Sequence, residues 1–568
     1  MSNLLEKASI ITTPTAYSDG VLHSVKPEQT LGSELVTNGD FATDSDWTYG
    51  SSWSIGDGKA SFDFNIGGAS DLRQNSVLTV GKKYKLTFDV LDSNGGNFSY
   101  SLGGSAIFIN NIEANTTYTV YGKAVGAFLT LRGASNFIGS IDNASIKEVI
   151  DADFTFTRND AGTRVNASGN IESVGVDLPR IDYRGGSGSL LLEPEALNTA
   201  TDSNDFTTGD LFVLSSLPGV DNGILTSAQA TSPDGTNNAW KLVDNNDGNI
   251  GIVSLRYFST RVITNDYNTV SLFVKKQGDN DWFYISLGGY DFTSQAIYFD
   301  ISNGTLGNVG ADVTASIDDY GNGWYRLSVT FQTTTDVQGA VQFRLASSNG
   351  GQTVLRDGTN GAYIYGIQAE SHATRQYATS YIPTSGDIQT RAADIATDAG
   401  SSDLISSTEG VLYAEIAALT NEDSTYRVIA LSNGNSGEFV FVGFTNINNI
   451  YAYVGSQSIA YFTPTDATDF HKVAIKYEDN NCKLFINGVQ IGTTNTTATV
   501  PSGLDILNFD SGLGGSPFDG NVKCVAVFKE ALTDAELTCL TTPNISRIFN
   551  DRVLWDGGII ESLECVTL

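Results

Sequence analysis

Leu484-Phe485-Ile486-Asn487-Gly488-Val489-Gln490-Ile491 is the stretch that decides the architecture. It reads as two short strands joined by a two-residue turn, because Asn-Gly supplies the positive φ values that a type I′ hairpin requires. The same period-two pattern runs along most of the chain. In Lys83 to Val90, the apolar set Tyr84, Leu86, Phe88 and Val90 faces one side, and Lys83, Lys85, Thr87 and Asp89 face the other. Val270, Leu272 and Val274 repeat it, as do Leu327, Val329 and Phe331 after the turn Gly321-Asn322-Gly323. Antiparallel sheets with one solvated face alternate in this way. Helix is scarce, and its clearest signal is the capping box of Thr533 and Glu536 ahead of Leu537 and Leu540. The expected class is all-β: a multi-domain set of β-sandwich or jelly-roll modules with very little helix.

At 568 residues the chain exceeds what one core organises. Charged residues are only 17%, and 59 glycines favour turns, while 40% hydrophobic content supplies material for folded cores. Lys plus Arg is 32 against 64 for Asp plus Glu, a formal charge of −32. Such a surface repels phosphate, so neither a nucleic-acid partner nor an anionic membrane is expected. Met1 to Pro14 lacks an apolar run of signal-peptide length, and no segment reaches the ~18 apolar residues of a membrane span. Synthesis in a cytoplasm without the usual export route is the expectation. The cysteines Cys482, Cys524, Cys539 and Cys565 have no Cys-x-x-Cys spacing. Alternation places Cys482 with Leu484 and Ile486, and Cys524 with Val522, Ala526 and Phe528, as reduced core thiols.

Changes of texture divide the chain. Residues 1–32 lack a self-sufficient core and read as an attachment segment. A first module, 33–150, opens on Asn38-Gly39-Asp40-Phe41 and Trp47 and closes on Ile141 to Ile146. A connector, 151–195, leads to a second module, 196–384, whose opening Asn204-Asp205-Phe206 and closing Tyr363 to Ile367 form a weak repeat of the first. A third module spans 393–542, and 543–568 is a tail.

The third module resembles the concanavalin A-like (laminin G-like) lectin/glucanase jelly roll, through Phe470-His471-Lys472-Val473-Ala474-Ile475, Lys483 to Val489, and Gly520-Asn521-Val522-Lys523 leading into Leu532 to Leu537. The family usually has Trp where Phe470 stands. The first two modules resemble carbohydrate-binding-module jelly rolls, the second through Gly323-Trp324-Tyr325-Arg326-Leu327 and Ala378 to Ser385. Together with Thr155-Phe156-Thr157-Arg158, Thr163-Arg164-Val165-Asn166, Leu178 to Tyr183, Leu190 to Pro194 and the start Lys7 to Pro14, the arrangement resembles tailed-bacteriophage virion proteins of the fibre or appendage type. That resemblance implies a virion-surface location, other virion proteins and host cell-surface polysaccharide as partners, and, by analogy with fibres, a homotrimer. It also implies that 33–150 is an insertion and that 1–32 and the connector share one structural unit.

Sugar binding needs flat aromatic faces for pyranose C–H surfaces, with amides and carboxylates for the hydroxyls. The candidates are Trp47, Tyr49 and Trp53 in the first module and Trp282, Tyr284 and Tyr290 in the second. Trp53, followed by Ile55 in alternation, also fits a core position, and Trp324 reads as core. A structural calcium is implied only by the carbohydrate-binding-module resemblance, without a ligand set; Asp244-Asn245-Asn246-Asp247-Gly248-Asn249 does not fit an EF-hand loop. No catalytic residues are expected. The Glu-x-Asp-x-x-Glu string of the glucanase relatives is missing, Glu415 being followed by Ile416-Ala417-Ala418-Leu419, and there is no Gly-x-Ser-x-Gly elbow. Only His23, His372 and His471 could serve as imidazole bases. The reading is a non-enzymatic virion appendage contacting host glycans; the alternatives are a decoration protein without ligand and a capsule-degrading depolymerase.

Overall fold

The computed structural model describes residues 4–543 apart from 15, 28–29, 208–211, 215–219, 222–223, 259–265, 290–294, 335–338 and 422–423. Among the described residues, forty-six strands and three short helices make it an all-β protein. Contacts divide the chain into two compact units, Lys26–Ala152 and the pair Met1–Val25 with Asp153–Leu568. Cys565, in the tail, lies outside the described residues.

In the Lys26–Ala152 unit, Lys83–Ser93 is flanked by Thr116–Lys123 and Ile138–Ile150. Lys59–Asp63 and Trp53–Gly56 extend that sheet. A second sheet runs Ile107–Ile109, Phe98–Leu102, Leu129–Gly133, Ser70–Gln74 and Thr48–Tyr49. Tyr84, Leu86, Phe88 and Val90 are at most 1% exposed and share one core with Phe98, Tyr100 and Leu102. Each such ring or branched chain contributes about 1.5–3 kcal/mol on burial, so the polar face of the strand has no competing register.

The larger unit holds the second and third modules. In the third, one sheet contains Glu409–Ala417, His471–Glu478, Cys482–Ile486, Val489–Asn495 and Gly520–Phe528, and the other contains Gln457–Phe462, Ile450–Val454, Phe439–Phe444, Arg427–Ser432 and Ile506–Asn508. The hairpin falls at Ile486 opposite Val489, with φ of +49° at Asn487 and +85° at Gly488. Cys482 and Cys524 are buried free thiols. The helix Asp534–Thr541 starts at the Thr533–Glu536 capping box, and its Leu537 and Leu540 cover the first sheet beside Tyr413 and Phe485.

The N-terminal segment is not a body of its own. Ala8–Thr12 and Ser189–Leu192 lie end to end along the same edge of Gly520–Phe528, pairing Thr12 with Val525 and Leu190 with Val522. Ile10 and Ile11 are 0% and 2% exposed there. A strand this short buries its branched side chains only by completing an existing sheet. Val21–Leu22 also pairs with Phe154–Thr157, which pairs in turn with Ile395–Thr397. The Ser24 amide donates to Asp153 Oδ1 at 2.7 Å, so the chain leaves this unit and re-enters it at neighbouring points.

The connector is fastened by a buried ionic cluster. Arg158 Nη1 lies 3.0 Å from Asp394 Oδ1, Arg180 Nη1 2.8 Å from Glu193 Oε2, and Arg391 Nη1 3.4 Å from Glu193 Oε2. Arg180 also bonds Asp394. Burial alone would raise the Glu193 carboxyl, but Arg391 and Arg180 hold it well below the usual carboxylate range. In the second module, Trp324 is 2% exposed and its Nε1 donates to the Thr231 carbonyl at 3.0 Å, a core position.

Candidate functional site

Most of the aromatics that composition and position nominate for sugar stacking face inward. Trp47 is 7% exposed, donates from Nε1 to the Asn38 carbonyl at 3.0 Å and packs on Phe41. Trp53 is 4% exposed, donates to the Ser70 carbonyl at 2.9 Å and lies 4.9 Å from Phe62. A Trp whose N–H finds a buried carbonyl is stable inside, so both are corrected to core residues. Tyr49 is half-buried, its hydroxyl donating to Asp44 Oδ1 at 2.7 Å. Tyr284 is fully buried, stacked on Tyr298 at 5.1 Å and accepting from Arg344 Nη1 at 3.0 Å, so it too is corrected to a structural position. Half-buried Trp282 packs against that pair and keeps a partly open ring. Tyr290 lies outside the described residues.

An aromatic face that the sequence reading missed lies on the second sheet of the third module. Along Phe439–Phe444 and Ile450–Val454, Val440, Val442, Phe444, Ile450, Ala452 and Val454 are 0% exposed and form the inward set. The opposite parity carries Phe439, Phe441, Tyr451 and Tyr453. Strand pairing sets Phe441 beside Tyr453 and Tyr451 beside Tyr461. Phe441 and Tyr453 stack at 5.1 Å and 17°, Tyr451 and Tyr461 at 5.9 Å and 17°. Tyr426 meets Tyr451 edge-on at 6.0 Å. Next to Tyr451 stands Gly443, where a Cβ would fall 1.9 Å from the Arg427 carbonyl oxygen.

The outer rings are the accessible ones. Tyr426 and Tyr461 are 49% and 51% exposed, whereas Phe441 and Tyr451 are nearly covered by their neighbours. The Tyr453 and Tyr461 hydroxyls lie 3.0 Å apart. That bond, followed by burial, pushes the Tyr453 phenol above its ordinary value, and burial does the same at Tyr451. Both therefore remain neutral hydrogen-bonding groups. At the Phe439 end, the loop carrying Asn433, Asn435 and Glu438 adds amides and a carboxylate, Asn435 Nδ2 reaching Glu438 Oε2 at 3.3 Å. Flat rings flanked by such groups suit a polyhydroxylated ring with apolar C–H faces.

Apart from this face, a concavity of about 310 Å³ is lined by Asp182, Arg184, Asp318, Tyr320, Gln376 and Asn421 among others. It stands at the small end of ligand-sized pockets. Asp244, in the acidic loop, accepts from the amides of Asn246 and Gly358 at 2.9 and 2.7 Å, and Asp247 pairs with Arg356 at 2.9 Å. These carboxylates are committed to the protein, so the loop does not fit calcium. Among the described residues, no group of three or more His, Cys, Asp or Glu side chains is arranged to hold a metal ion.

Glu415 pairs in register with Lys472 and Cys524 within the first sheet of the third module. The ring nitrogens of His471 bond the Asp466 carbonyl at 2.9 Å and Asn487 Nδ2 at 3.1 Å, bracing the hairpin. His372 accepts the Arg375 amide at 3.0 Å. His23 differs, bonding Ser18 and Asp153.

Residues 412–538 match the family described as the concanavalin A-like lectin/glucanases superfamily. The third module is thus a concanavalin A-like, laminin G-like domain. Among solved structures, the chain is similar to the carbohydrate-binding module CBM40 of the Ruminococcus gnavus IT-sialidase bound to α2,3-sialyllactose, at 17% identity, 26% of this chain, 93% of that one and a TM-score of 0.22. The tandem CBM22-1–CBM22-2 domain of Paenibacillus barcinonensis Xyn10C matches at 11% identity, 63% and 100% coverage and a TM-score of 0.21. Domains LG4-5 of the mouse laminin α1 chain match at 11% identity, 58% and 96% coverage and a TM-score of 0.17. Scores of this size define no ligand for this chain. No curated protein matches it.

Proposed function

We propose that the protein binds glycans on the aromatic face of its concanavalin A-like domain, a face that holds them without doing chemistry on them. The observation that carries this reading is the stack of Phe441, Tyr453, Tyr451 and Tyr461, with Tyr426 and Tyr461 half open to solvent at one end and the Asn435–Glu438 loop at the Phe439 end. Pyranose C–H surfaces stack on such rings, and phenols, amides and a carboxylate bond the hydroxyls. The charge of −32 favours neutral polysaccharide over strongly anionic polymers.

We propose further, on the resemblance of the N-terminal and connector strings, that the protein is a bacteriophage fibre or appendage at the virion surface that contacts host polysaccharide. A homotrimer would multiply weak single-site binding by avidity. A glycan array with the full chain and a Tyr426→Ala/Tyr461→Ala variant tests the binding. Retention by the wild type and loss in the variant are expected; silence of the wild type across bacterial surface polysaccharides overturns it in favour of a decoration protein. Immunogold labelling of intact particles tests the location, and unlabelled particles overturn that.

A further inference from the structure

Ser18, His23 and Asp153 form a hydrogen-bonded chain that the missing Gly-x-Ser-x-Gly elbow did not foreshadow. Tyr17–Ser18, Val21–Leu22 and Phe154–Thr157 are consecutive strands of one small sheet. Pairing of Ser18 with Val21, and of Leu22 with Phe154, makes Ser18 a diagonal neighbour of His23 and sets Asp153 next to the Leu22–Phe154 pair, within reach of the ring. His23 Nδ1 lies 2.8 Å from Asp153 Oδ2, and Nε2 lies 3.1 Å from Ser18 Oγ.

The order of these contacts matters chemically. The Asp153 side chain is 7% exposed, and its other oxygen accepts the Ser24 amide at 2.7 Å and the Ser24 hydroxyl at 3.1 Å. A carboxylate held in this way accepts a proton-bearing Nδ1, which leaves the Nε2 lone pair directed at the Ser18 hydroxyl. Nucleophile, base and orienting acid thus stand in the sequence that acyl transfer uses, whatever the surrounding fold. Ser18 is exposed and the His23 side chain is 39% exposed, so an acyl group carried on another molecule can reach them.

We propose that Ser18 is the nucleophile of an acyl-ester hydrolase centre, with His23 as general base and Asp153 as a positioning residue. The substrates are oxygen esters of small acyl groups, such as O-acetyl groups displayed on a polymer. An open site excludes little water and favours labile esters over amides, whose leaving amine is poorer. Ser18 Oγ bonds the ester carbonyl carbon while Nε2 takes its proton; the C–O bond then breaks, and that proton leaves with the alcohol. Water attacks the acyl-serine, gives a proton to Nε2 and releases the carboxylic acid, and Ser18 regains its proton. The centre is independent of glycan binding on the aromatic face.

The full chain is treated with a fluorophosphonate probe and, separately, with p-nitrophenyl acetate. The expected results are an adduct on the Ser18 peptide by mass spectrometry and ester hydrolysis that Ser18→Ala abolishes. His23→Ala should slow acylation by about 10²–10⁴-fold. Asp153→Asn should lower kcat with KM unchanged, a split that mere loosening of the sheet would not give. Ser18→Ala removes one exposed hydroxyl, and an unchanged melting temperature confirms its fold. No adduct at Ser18, or hydrolysis unaffected by Ser18→Ala, overturns the proposal.

Discussion

Arg180 and Asp394 are hydrogen-bonded although 214 residues separate them, and both side chains are 0% exposed. The pair ties the connector to the start of the third module, and Glu193 completes it from further along the connector. Glu193→Gln would leave Arg391 and Arg180 short of a counter-charge in a buried site. Breaking such a pair from one side costs about 3–5 kcal/mol. Urea unfolding at pH 7 should show that loss for Glu193→Gln, with a smaller effect for Lys59→Ala, whose partly exposed ion pair with Asp92 is screened by solvent.

The same carboxylate sets an acid limit. Arg391 and Arg180 hold it below its ordinary value of 4.5, so the folded state binds its proton less readily than the unfolded chain. Its stabilisation is complete above pH 4.5 and is lost as pH falls further toward the folded-state value. Melting temperatures from pH 7 down to pH 2 should fall below pH 4.5 in the wild type, and less steeply in Glu193→Gln.

The insertion geometry predicts a clean excision. The Ser24 amide bonds Asp153, and Leu22 pairs with Phe154. Replacing Lys26–Ala152 with a short glycine-serine linker should leave a folded remainder with an unchanged near-ultraviolet circular dichroism signal per retained aromatic environment. A molten product would show that the inserted unit is needed to hold its host together.

On the aromatic face, Tyr461→Ala should weaken glycan binding by about 2- to 12-fold, the equivalent of the ~0.5–1.5 kcal/mol typical of an aromatic contact. Tyr461→Phe keeps the ring and removes the hydroxyl bonded to Tyr453. In that variant the Tyr453 phenol should ionise closer to its ordinary value of 10.0, a downward shift readable by ultraviolet titration.

Local signals were legible where one turn or cap decides the backbone. Asn487-Gly488 and Thr533–Glu536 formed as read because their hydrogen bonds involve residues at most a few positions apart. Trp47 and Trp53 show the limit: near turns, an aromatic looks the same in sequence whether its ring turns inward or outward, and only the carbonyls of Asn38 and Ser70 decided it. The aromatic face was visible as Phe439 and Phe441 alternating with Val440 and Val442. With both parities apolar, however, period two does not say which side meets solvent. The Ser18–His23–Asp153 chain needed a contact across 130 residues of sequence, beyond the reach of any local spacing rule.

The pairing of Ala8–Thr12 with Gly520–Phe528 carries a kinetic consequence. Ser9 reaches the Val527 carbonyl across 518 residues. At a synthesis rate of ~5–20 residues per second, the early strand waits roughly 25–100 s for its partner to emerge. The Lys26–Ala152 unit is complete long before then, and the apolar Ile10 and Ile11 remain unburied throughout. During that interval the nascent chain is open to chaperones, and to the matching edge of another copy, until the last sheet closes.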